Sequence, residues 1–235
     1  MENFLSWRTL TTLGDIKWQL LELLASIGFV AINIGRRQSG TDNVLKITGS
    51  EMNVNGENNR VLAAILCAAL YPNVVKVLTP EKLYAPSVGG AVPKELRADE
   101  LKFKTRDDGY VFIHPSSVNF TVTHFTSPYL VYQEKVKTSR VFIRDCSMVP
   151  IIPLILFSGS GLQVELHQGT FIIALEDGWI KFAVDTNQIA ELLQTIRNEL
   201  VALLEEKIED PSLNLLTHKK GKMIIETIIH LITQE

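Results

Sequence analysis

The residues with the most suggestive chemistry lie in one stretch, residues 129–149, where basic and aromatic side chains alternate with apolar ones. The pattern predicts two β-strands around a Lys137-Thr138-Ser139 turn. Since the side chains of a strand point alternately to its two faces, each face can be assigned. The first strand places Gln133, Lys135 and Lys137 on one face and Leu130, Tyr132, Glu134 and Val136 on the other, and the second places Arg140, Phe142 and Arg144 opposite Val141 and Ile143.

A surface of this kind has the chemistry that a single-stranded nucleic acid needs. Lysine and arginine neutralise the phosphates, and flat rings stack against the bases. The candidate contacts are Tyr132, Lys135, Lys137, Thr138, Ser139, Arg140, Phe142 and Arg144. A structural explanation exists for each of them, because charged residues are often simply solvated on the wet face of a hairpin. The two aromatic residues can instead fill a core, and the two hydroxyl residues can cap the turn.

The motifs of other chemistries are missing from the sequence. It contains no GxxxxGK[ST] phosphate loop, no GxGxxG and no GxSxG nucleophile elbow. The five histidines are scattered, without the HxxxH or CxxC spacing that a metal site uses. The carboxylates of residues 205–210 fit a solvated helix face rather than a cleft for acid–base catalysis. We therefore predict no active site, no metal and no cofactor, and we do not expect this chain alone to be an enzyme.

The composition is that of a folded protein: 235 residues, 46% hydrophobic and 21% charged, with a net charge of -3 and a pI of about 6.0. Dedicated nucleic-acid modules often have a pI above about 9, so a nucleic-acid surface has to be local here. Cys67 and Cys146 lie in apolar stretches, which predicts free buried thiols and a reducing compartment. Without a signal-peptide pattern or a bilayer-spanning apolar run, we expect a soluble intracellular protein, cytoplasmic or alternatively nuclear.

Helical periodicity dominates the start of the chain. Apolar residues recur at three- and four-residue steps over residues 6–27, and Gly28 suits the end of that helix. Residues 1–32 are therefore predicted to be helical, residues 33–57 to be a flexible Gly- and Asn-rich insertion, and residues 58–72 to be a helix that Pro72 ends. Because the first helix begins almost at once, we expect Met1 to open a piece of a longer protein.

Short strands then follow one another closely. They are predicted at residues 73–78, 101–105, 110–114, 129–136, 140–148, 162–167, 170–175 and 179–184, with a polar insertion at 80–99 and a short helical or irregular segment at 150–157. Turn residues such as Asp107-Asp108-Gly109 separate them, which indicates an antiparallel sheet that closes on itself as a small barrel or sandwich. Helical periodicity returns at residues 186–209 and 221–233. The expected fold class is α+β, with a small barrel between N-terminal and C-terminal helices.

Six segments carry a family resemblance. They are LAAILCAALYPNV (62–74), VFIHPSSV (111–118), YLVYQE (129–134), KTSRVFIR (137–144), DGWI (177–180) and EKIEDP (206–211). In order and spacing they resemble the C-terminal region of DEAH-box RNA helicases of the RNA helicase A type. The resemblance covers nearly the whole chain and is least secure at the two insertions.

The resemblance implies a fold and a role. Residues 1–32 would be the end of the helix-bundle (ratchet) domain, 58–72 the helix leading into the barrel, 73–184 an antiparallel oligonucleotide-binding (OB) fold barrel, and 185–235 a C-terminal helical extension. In that family the ATPase lies in two preceding RecA-like domains. This piece would therefore be an accessory, non-catalytic region that binds single-stranded RNA and supports the helicase core.

The expected partners follow from the same resemblance. They are single-stranded RNA, the preceding RecA-like helicase core and a protein regulator, without a membrane. The alternative is a protein–protein interaction module that docks a regulatory partner or the helicase core.

Overall fold

The computed structural model describes residues 6–32, 42–79, 84–87, 90–93, 97–159, 161–215 and 217–234. In chain order the elements are α1 (Trp7–Ser26), α2 (Asp42–Thr48), α3 (Asn59–Leu70), β1 (Val74–Leu78), β2 (Tyr84–Ser87), β3 (Gly90–Pro93), β4 (Lys102–Thr105), β5 (Gly109–Ile113), β6 (Tyr129–Lys137), β7 (Val141–Met148), α4 (Ile151–Phe157), β8 (Gln163–His167), β9 (Thr170–Leu175), β10 (Ile180–Val184), α5 (Asn187–Glu209) and α6 (Lys219–Gln234). The predicted α+β fold with a small barrel and flanking helices is confirmed.

The chain divides into two units. The helical unit comprises Met1–Asn58 and Asn198–Thr227, and the barrel unit comprises Asn59–Arg197 and Ile228–Glu235. In the helical unit, the Ser6 hydroxyl caps α1 by accepting a hydrogen bond from the Thr9 N–H at 3.3 Å. Gly28 follows the helix with φ +79°, the left-handed conformation that its position after the helix predicted.

Residues 42–57, which the sequence assigns to a flexible insertion, contain α2 and a 3-10 turn at Glu51–Asn53. The Asn53 side-chain amide donates to the Thr48 hydroxyl at 2.7 Å and to the Gly49 carbonyl at 2.6 Å, which ties the turn to the helix. A helix of seven residues is too short to show a sustained apolar period, so its pattern is hidden among polar residues. Residues 33–41 lie outside the described residues.

Five strands of the barrel unit close in the order β1-β4-β5-β7-β6, with β6 pairing back to β1. Four of these pairs are antiparallel, as predicted, whereas β5 and β7 are parallel. Five strands cannot alternate in direction all the way around a closed ring. One neighbouring pair has to be parallel, and it joins strands that are distant in sequence.

The strands β8, β9 and β10, which the sequence pattern groups with the barrel, form a separate three-stranded sheet. Gln168 and Gly169 connect β8 to β9 with φ values of 49° and 84°. Two successive left-handed residues make the tight turn that pairs a strand with its immediate neighbour. Residues 80–99 differ from a plain polar insertion as well, because β2 and β3 pair there as a hairpin.

Two apolar cores lie in the barrel unit. The barrel interior contains Val75, Val77, Leu101, Phe103, Val111, Ile113, Leu130, Tyr132, Ile143 and Cys146. The second core joins residues of α3, α4, α5 and the three-stranded sheet to the other side of β1 and β6, where Val74, Tyr129 and Val131 contribute. Strand β1 and residues 129–132 of β6 are thus covered on both sides, whereas the outward residues of β4 and β5 stay exposed.

Among the described residues, no helix combines the length and the apolar character that crossing a bilayer requires. The long helices α1 and α5 are amphipathic instead, with polar residues throughout their sequences.

Candidate nucleic-acid interface

The outward surface of β4, β5 and β7 brings together residues from three separate parts of the sequence. Phe103, Val111 and Ile143 point into the barrel, so their neighbours along each strand point outward. The register places Lys104 opposite Tyr110 and Phe112 opposite Phe142. The outward set, which we call the open face, is Lys102, Lys104, Tyr110, Phe112, His114, Arg140, Phe142 and Arg144.

Aromatic rings form a contiguous row on the open face. Tyr110 is 59% exposed and Phe112 is 40% exposed. The ring centroids of Phe112 and Phe142 are 6.1 Å apart at an angle of 49°, and those of His114 and Phe142 are 5.8 Å apart at 77°. Exposed rings in a row offer flat surfaces on which successive bases can stack.

Cations surround these rings. The guanidinium carbon of Arg140 lies 4.8 Å from the Phe112 centroid, and the Lys102 ammonium lies 5.9 Å from the Tyr110 centroid, both within cation–π range. Lys104 is exposed beside them. Among the described residues, no carboxylate forms an ion pair with Lys102, Lys104 or Arg140. Their charge is therefore available to a phosphate.

Arg144 lies on the open face but is partly engaged within the protein. It forms an ion pair of 3.7 Å with Glu134, its partner across the β6–β7 ladder. Its Nη2 lies 3.1 Å from Nε2 of His114. Its Nε atom is buried and has no hydrogen-bond partner among the described residues. The side chain therefore connects β6, β7 and the end of β5, and only part of its charge faces outward.

Lys135 is neutralised by a neighbouring turn instead of lying on the open face. Its ammonium is 2.5 Å from Oδ2 of Asp108, in the turn between β4 and β5. The hydrogen bond lowers the pKa of the Asp108 carboxyl and raises the pKa of the Lys135 ammonium from their ordinary values. In the β6–β7 ladder Lys135 lies opposite Ile143, and Ile143 points into the barrel. Lys135 therefore lies on the other side of the sheet from the open face.

The alternation of inward and outward side chains along β6 and β7 is interrupted partway along each strand. Ile143 and Cys146 both point into the barrel although they are three residues apart. Asp145, between them, has φ +49°, a left-handed conformation that interrupts the extended strand. On β6, Tyr132 accordingly points inward while Glu134 pairs with the outward Arg144, so these two residues do not share the predicted face.

Tyr132 belongs to the barrel core. It is 7% exposed, and burial raises the pKa of its hydroxyl. Its ring fills the interior, which is the structural alternative that the sequence left open, and a base cannot stack on it in this position. Phe142 is half-buried and contacts Phe112, so it supports the exposed row.

The remaining predicted residues form the exposed turn between β6 and β7. The Thr138 N–H donates to the Arg140 carbonyl at 2.8 Å, and the Thr138 hydroxyl lies 3.4 Å from the same oxygen. Thr138 therefore closes the turn, as the structural alternative expects. Lys137 and Ser139 are exposed at the tip, next to Arg140.

Five residues of the open face were not among the predicted contacts: Lys102, Lys104, Tyr110, Phe112 and His114. Their signal was the alternation of polar and apolar residues in KFKT (102–105) and YVFI (110–113), which predicts strands with one outward face. Sequence alone cannot show that this face continues onto β7, because the β5–β7 pairing joins residues about thirty positions apart.

A cavity of about 790 Å³ adjoins the open face at one end of the barrel. Phe112, Phe142 and Arg140 line it, together with residues 97–101 and 119–123.

Elsewhere in the barrel unit, Arg106 in the β4–β5 turn bonds Glu176 and Asp177 in the β9–β10 turn, and the Tyr71 hydroxyl donates to Glu176. These contacts connect the barrel to the three-stranded sheet.

The described residues bear on two further kinds of site, a metal site and a reactive thiol. No three His, Cys, Asp or Glu side chains converge there in a geometry that could hold a metal ion. Cys67 and Cys146 are buried and free, as predicted. Burial raises the pKa of the Cys67 thiol to about 12, so this thiol stays protonated and is a poor ligand or nucleophile near neutral pH.

Comparison with protein families matches two models to this chain. Residues 62–161 match the oligonucleotide/oligosaccharide-binding (OB) fold model, and residues 172–234 match the C-terminal domain in RNA helicases.

Full-length relatives extend the match over the whole chain. A protein of Mus musculus named "Putative ATP-dependent RNA helicase DHX57" is 51% identical over 239 residues, which cover 100% of this chain and 17% of the relative. "DExH-box ATP-dependent RNA helicase DExH1" of Arabidopsis thaliana is 34% identical over 234 residues, covering 100% of this chain and 20% of the relative. "ATP-dependent DNA/RNA helicase DHX36" of Homo sapiens is 33% identical over 211 residues, covering 89% of this chain and 18% of the relative.

The chain belongs with the C-terminal regions of DEAH-box RNA helicases. It spans a fifth or less of the length of these relatives. Within this DEAH-box region, the OB-fold match includes all five barrel strands and α4, so the open face lies on the OB barrel. The helicase C-terminal match runs from within β9 to the end of α6.

Proposed function

We propose that this chain is the accessory, non-catalytic C-terminal region of an ATP-dependent DEAH-box RNA helicase and binds single-stranded RNA on the open face. One observation carries the proposal: the exposed rings of Tyr110 and Phe112 lie among Lys102, Lys104 and Arg140, which form no ion pair with a carboxylate of the described residues. Unpaired cations attract phosphates and exposed rings stack on bases, so this combination fits single strands, whose bases are accessible.

The position of the open face within the fold supports the same function. OB folds bind oligonucleotides with their second and third strands and with the loops after the first and fourth strands. In this barrel the second and third strands are β4 and β5, and the loop after the fourth strand is the β6–β7 turn with Lys137 and Ser139. The open face and this turn together make a surface of the expected kind.

The role in a longer protein is inferred from the relatives. Their names describe ATP-dependent helicases, and this chain matches 17% of the length of DHX57. We infer that ATP hydrolysis belongs to RecA-like domains in the rest of such a protein. The OB barrel would hold the single strand while the core moves along it, and contacts with the core or with a protein regulator would couple the two.

The decisive experiment measures RNA affinity as a function of salt. Binding of a fluorescent, unstructured 12-nucleotide RNA is followed by anisotropy for the wild type and for the double variant Lys102→Ala/Lys104→Ala. Each phosphate contact contributes about 0.7 to the slope of log K against log salt for single strands. We expect the double variant to bind at least about tenfold more weakly at low salt and with a slope smaller by about 1.4.

A matched control removes the same charge elsewhere. Lys17 and Lys219 are exposed and lie outside the open face, so Lys17→Ala/Lys219→Ala should bind as the wild type does. Equal losses of RNA affinity in both double variants would mean that binding depends on the overall charge of the chain and not on a specific site. Unchanged affinity in a folded Lys102→Ala/Lys104→Ala variant would refute the open face as the RNA site. A DNA strand of the same sequence shows whether the preference is for RNA.

A second candidate function is docking of a protein partner or of the helicase core. The observation in its favour is the apolar stripe of α1, where Leu13, Leu20 and Leu23 are 51%, 55% and 57% exposed. Exposed stripes of this size are typical of surfaces that another protein covers. A stable complex with the helicase core at high salt, formed by a chain that shows no RNA binding, would favour this function over the first.

A further inference from the structure

The cavity at the end of the barrel combines the features that a single base requires. Its volume of about 790 Å³ falls within the range of about 300–1,000 Å³ that is usual for small-molecule sites. Buried Leu101, Phe103 and Ile113 line its apolar part, and Phe120, 47% exposed, lies in the segment that borders it. The flat faces of a base can be desolvated against these side chains, while its polar edge needs hydrogen-bond partners.

Polar groups occur in the same cavity. Asp99, Asn119, Thr121 and Thr123 contribute lining atoms that can bond the edge of a base. The Asn119 amide group already donates to the Cys146 carbonyl at 2.6 Å, which holds this residue in place on the barrel. Recognition of an unstacked base in RNA relies on this pairing of an aromatic wall with edge hydrogen bonds.

The cavity is continuous with the open face. Phe112, Phe142 and Arg140 belong to both, so a strand lying on the face reaches the cavity without a break. Arg140 belongs to both, so its guanidinium can bond the phosphate of a nucleotide whose base enters the cavity. Arg97, another lining residue, is exposed and forms an ion pair with Asp99 at 3.2 Å.

We propose that this cavity receives one unstacked nucleobase of the bound RNA strand, an inference that rests on the proposed RNA-binding function. The open face then supplies charge attraction and stacking that accept any base, and the cavity adds contacts with the edge of one base. The occupant is a base of the strand rather than a free metabolite, because three residues of its wall belong to the strand-binding surface.

The test compares two strands of the same length and charge. One is a 12-nucleotide abasic RNA, and the other carries one 2-aminopurine in the otherwise abasic backbone. Enclosure of the base should make the second strand bind about tenfold more tightly, and its fluorescence should be shielded from acrylamide. Equal affinity of the two strands, or a base fully accessible to acrylamide, would overturn the inference.

Two variants locate the base. Phe120 lines the cavity but is not part of the open face, whereas Tyr110 lies on the open face but not in the cavity. Phe120→Ala should remove the gain from the single base, and Tyr110→Ala should retain it. The reverse result would place the base on the face and refute the cavity site. Both residues are about half exposed, so both variants should fold, and thermal unfolding checks this.

The same measurements separate this inference from the function on which it rests. Salt-dependent binding of the fully abasic strand, with no gain from the base, would leave the open face as an RNA site and reject the cavity. Failure of normal, single-base and abasic strands alike to bind would reject both.

Discussion

Phe112 on β5 and Phe142 on β7 are direct partners in the parallel ladder, and their ring centroids lie 6.1 Å apart. This pair joins two sequence segments into one surface, because Phe112 shares the outward face of β5 with Tyr110, and Arg140, two residues before Phe142, lies over the Phe112 ring. The candidate RNA site is therefore a property of the β5–β7 pairing rather than of either segment.

Phe112 should contribute to RNA binding more than to stability. Phe112→Ala removes a ring that is 40% exposed, and we expect RNA affinity to fall by about 1–3 kcal/mol, the range for one base–aromatic stack. The free energy of unfolding should fall by less than the cost of a fully buried Phe→Ala change, about 3–5 kcal/mol, because the ring is already partly exposed. Anisotropy and urea unfolding measure the two quantities. A variant that loses stability but keeps its RNA affinity would assign Phe112 a structural role.

Tyr132 should behave in the opposite way. Its ring is 7% exposed in the barrel interior, so Tyr132→Ala is expected to lower the free energy of unfolding by about 3–5 kcal/mol, as large-to-small core changes do. Tyr132→Phe keeps the ring and should leave RNA affinity unchanged. Urea unfolding and anisotropy test both variants. Weaker RNA binding by a stable Tyr132→Phe protein would show that the hydroxyl reaches the strand.

The Lys135–Asp108 ion pair should give a stability increment that depends on pH. The lowered pKa of Asp108 means that its contribution is present above the ordinary value of about 3.9 and disappears as the pH falls through the folded-state pKa. The raised pKa of Lys135 means that its contribution is present below about 10.4 and disappears as the pH rises through the folded-state pKa. Both side chains are partly exposed, so the increment at pH 7 should not exceed about 1 kcal/mol.

Lys135→Met tests this increment by urea unfolding at pH 7 and at pH 2.5. The difference from the wild type should be present at pH 7 and smaller at pH 2.5, because the Asp108 carboxyl is protonated as the pH falls. Lys17→Met serves as the control, because Lys17 is exposed on α1 and forms no ion pair with a carboxylate of the described residues. The same loss of unfolding free energy at both pH values would show that the aliphatic part of Lys135 contributes to stability and its charge does not.

Arg197 should be a structural residue of the barrel unit. It is 7% exposed and donates to the Ile155 carbonyl at 3.3 Å, to the Ser158 hydroxyl at 2.9 Å and to the Ser158 carbonyl, all at the end of α4. Burial lowers the pKa of its guanidinium. Arg197→Met removes these charged hydrogen bonds and should cost about 2–3 kcal/mol of unfolding free energy.

Two further variants define the role of Arg197. Arg197→Lys keeps the charge but cannot reproduce the forked donors, so it should recover only part of the loss. Arg8→Met, at an exposed position, should change stability by less than about 0.5 kcal/mol. Full stability of Arg197→Met in urea unfolding would contradict the structural role.

Local pattern was sufficient to predict most elements. The predicted strand at 129–136 is β6 (Tyr129–Lys137), and the predicted helix at 186–209 is α5 (Asn187–Glu209). These succeed because alternation and helical periodicity depend on neighbours within a few residues. The placement of Arg140 and Phe142 on one outward face is confirmed for the same reason. Residues 42–48 show the limit, since α2 is too short for a period to emerge.

The spacing of neighbouring side chains was enough to predict the longer helices, most of the strands and a basic aromatic hairpin. Which of those side chains lie together on an exposed face depends on the tertiary structure instead. The left-handed Asp145 reverses the faces of β6 and β7, Asp108 neutralises Lys135 across a turn, and the closure of five strands places Phe112 beside Phe142. The last two join residues from distant parts of the chain, and the first is a single left-handed residue within a strand, so no local period predicts any of them.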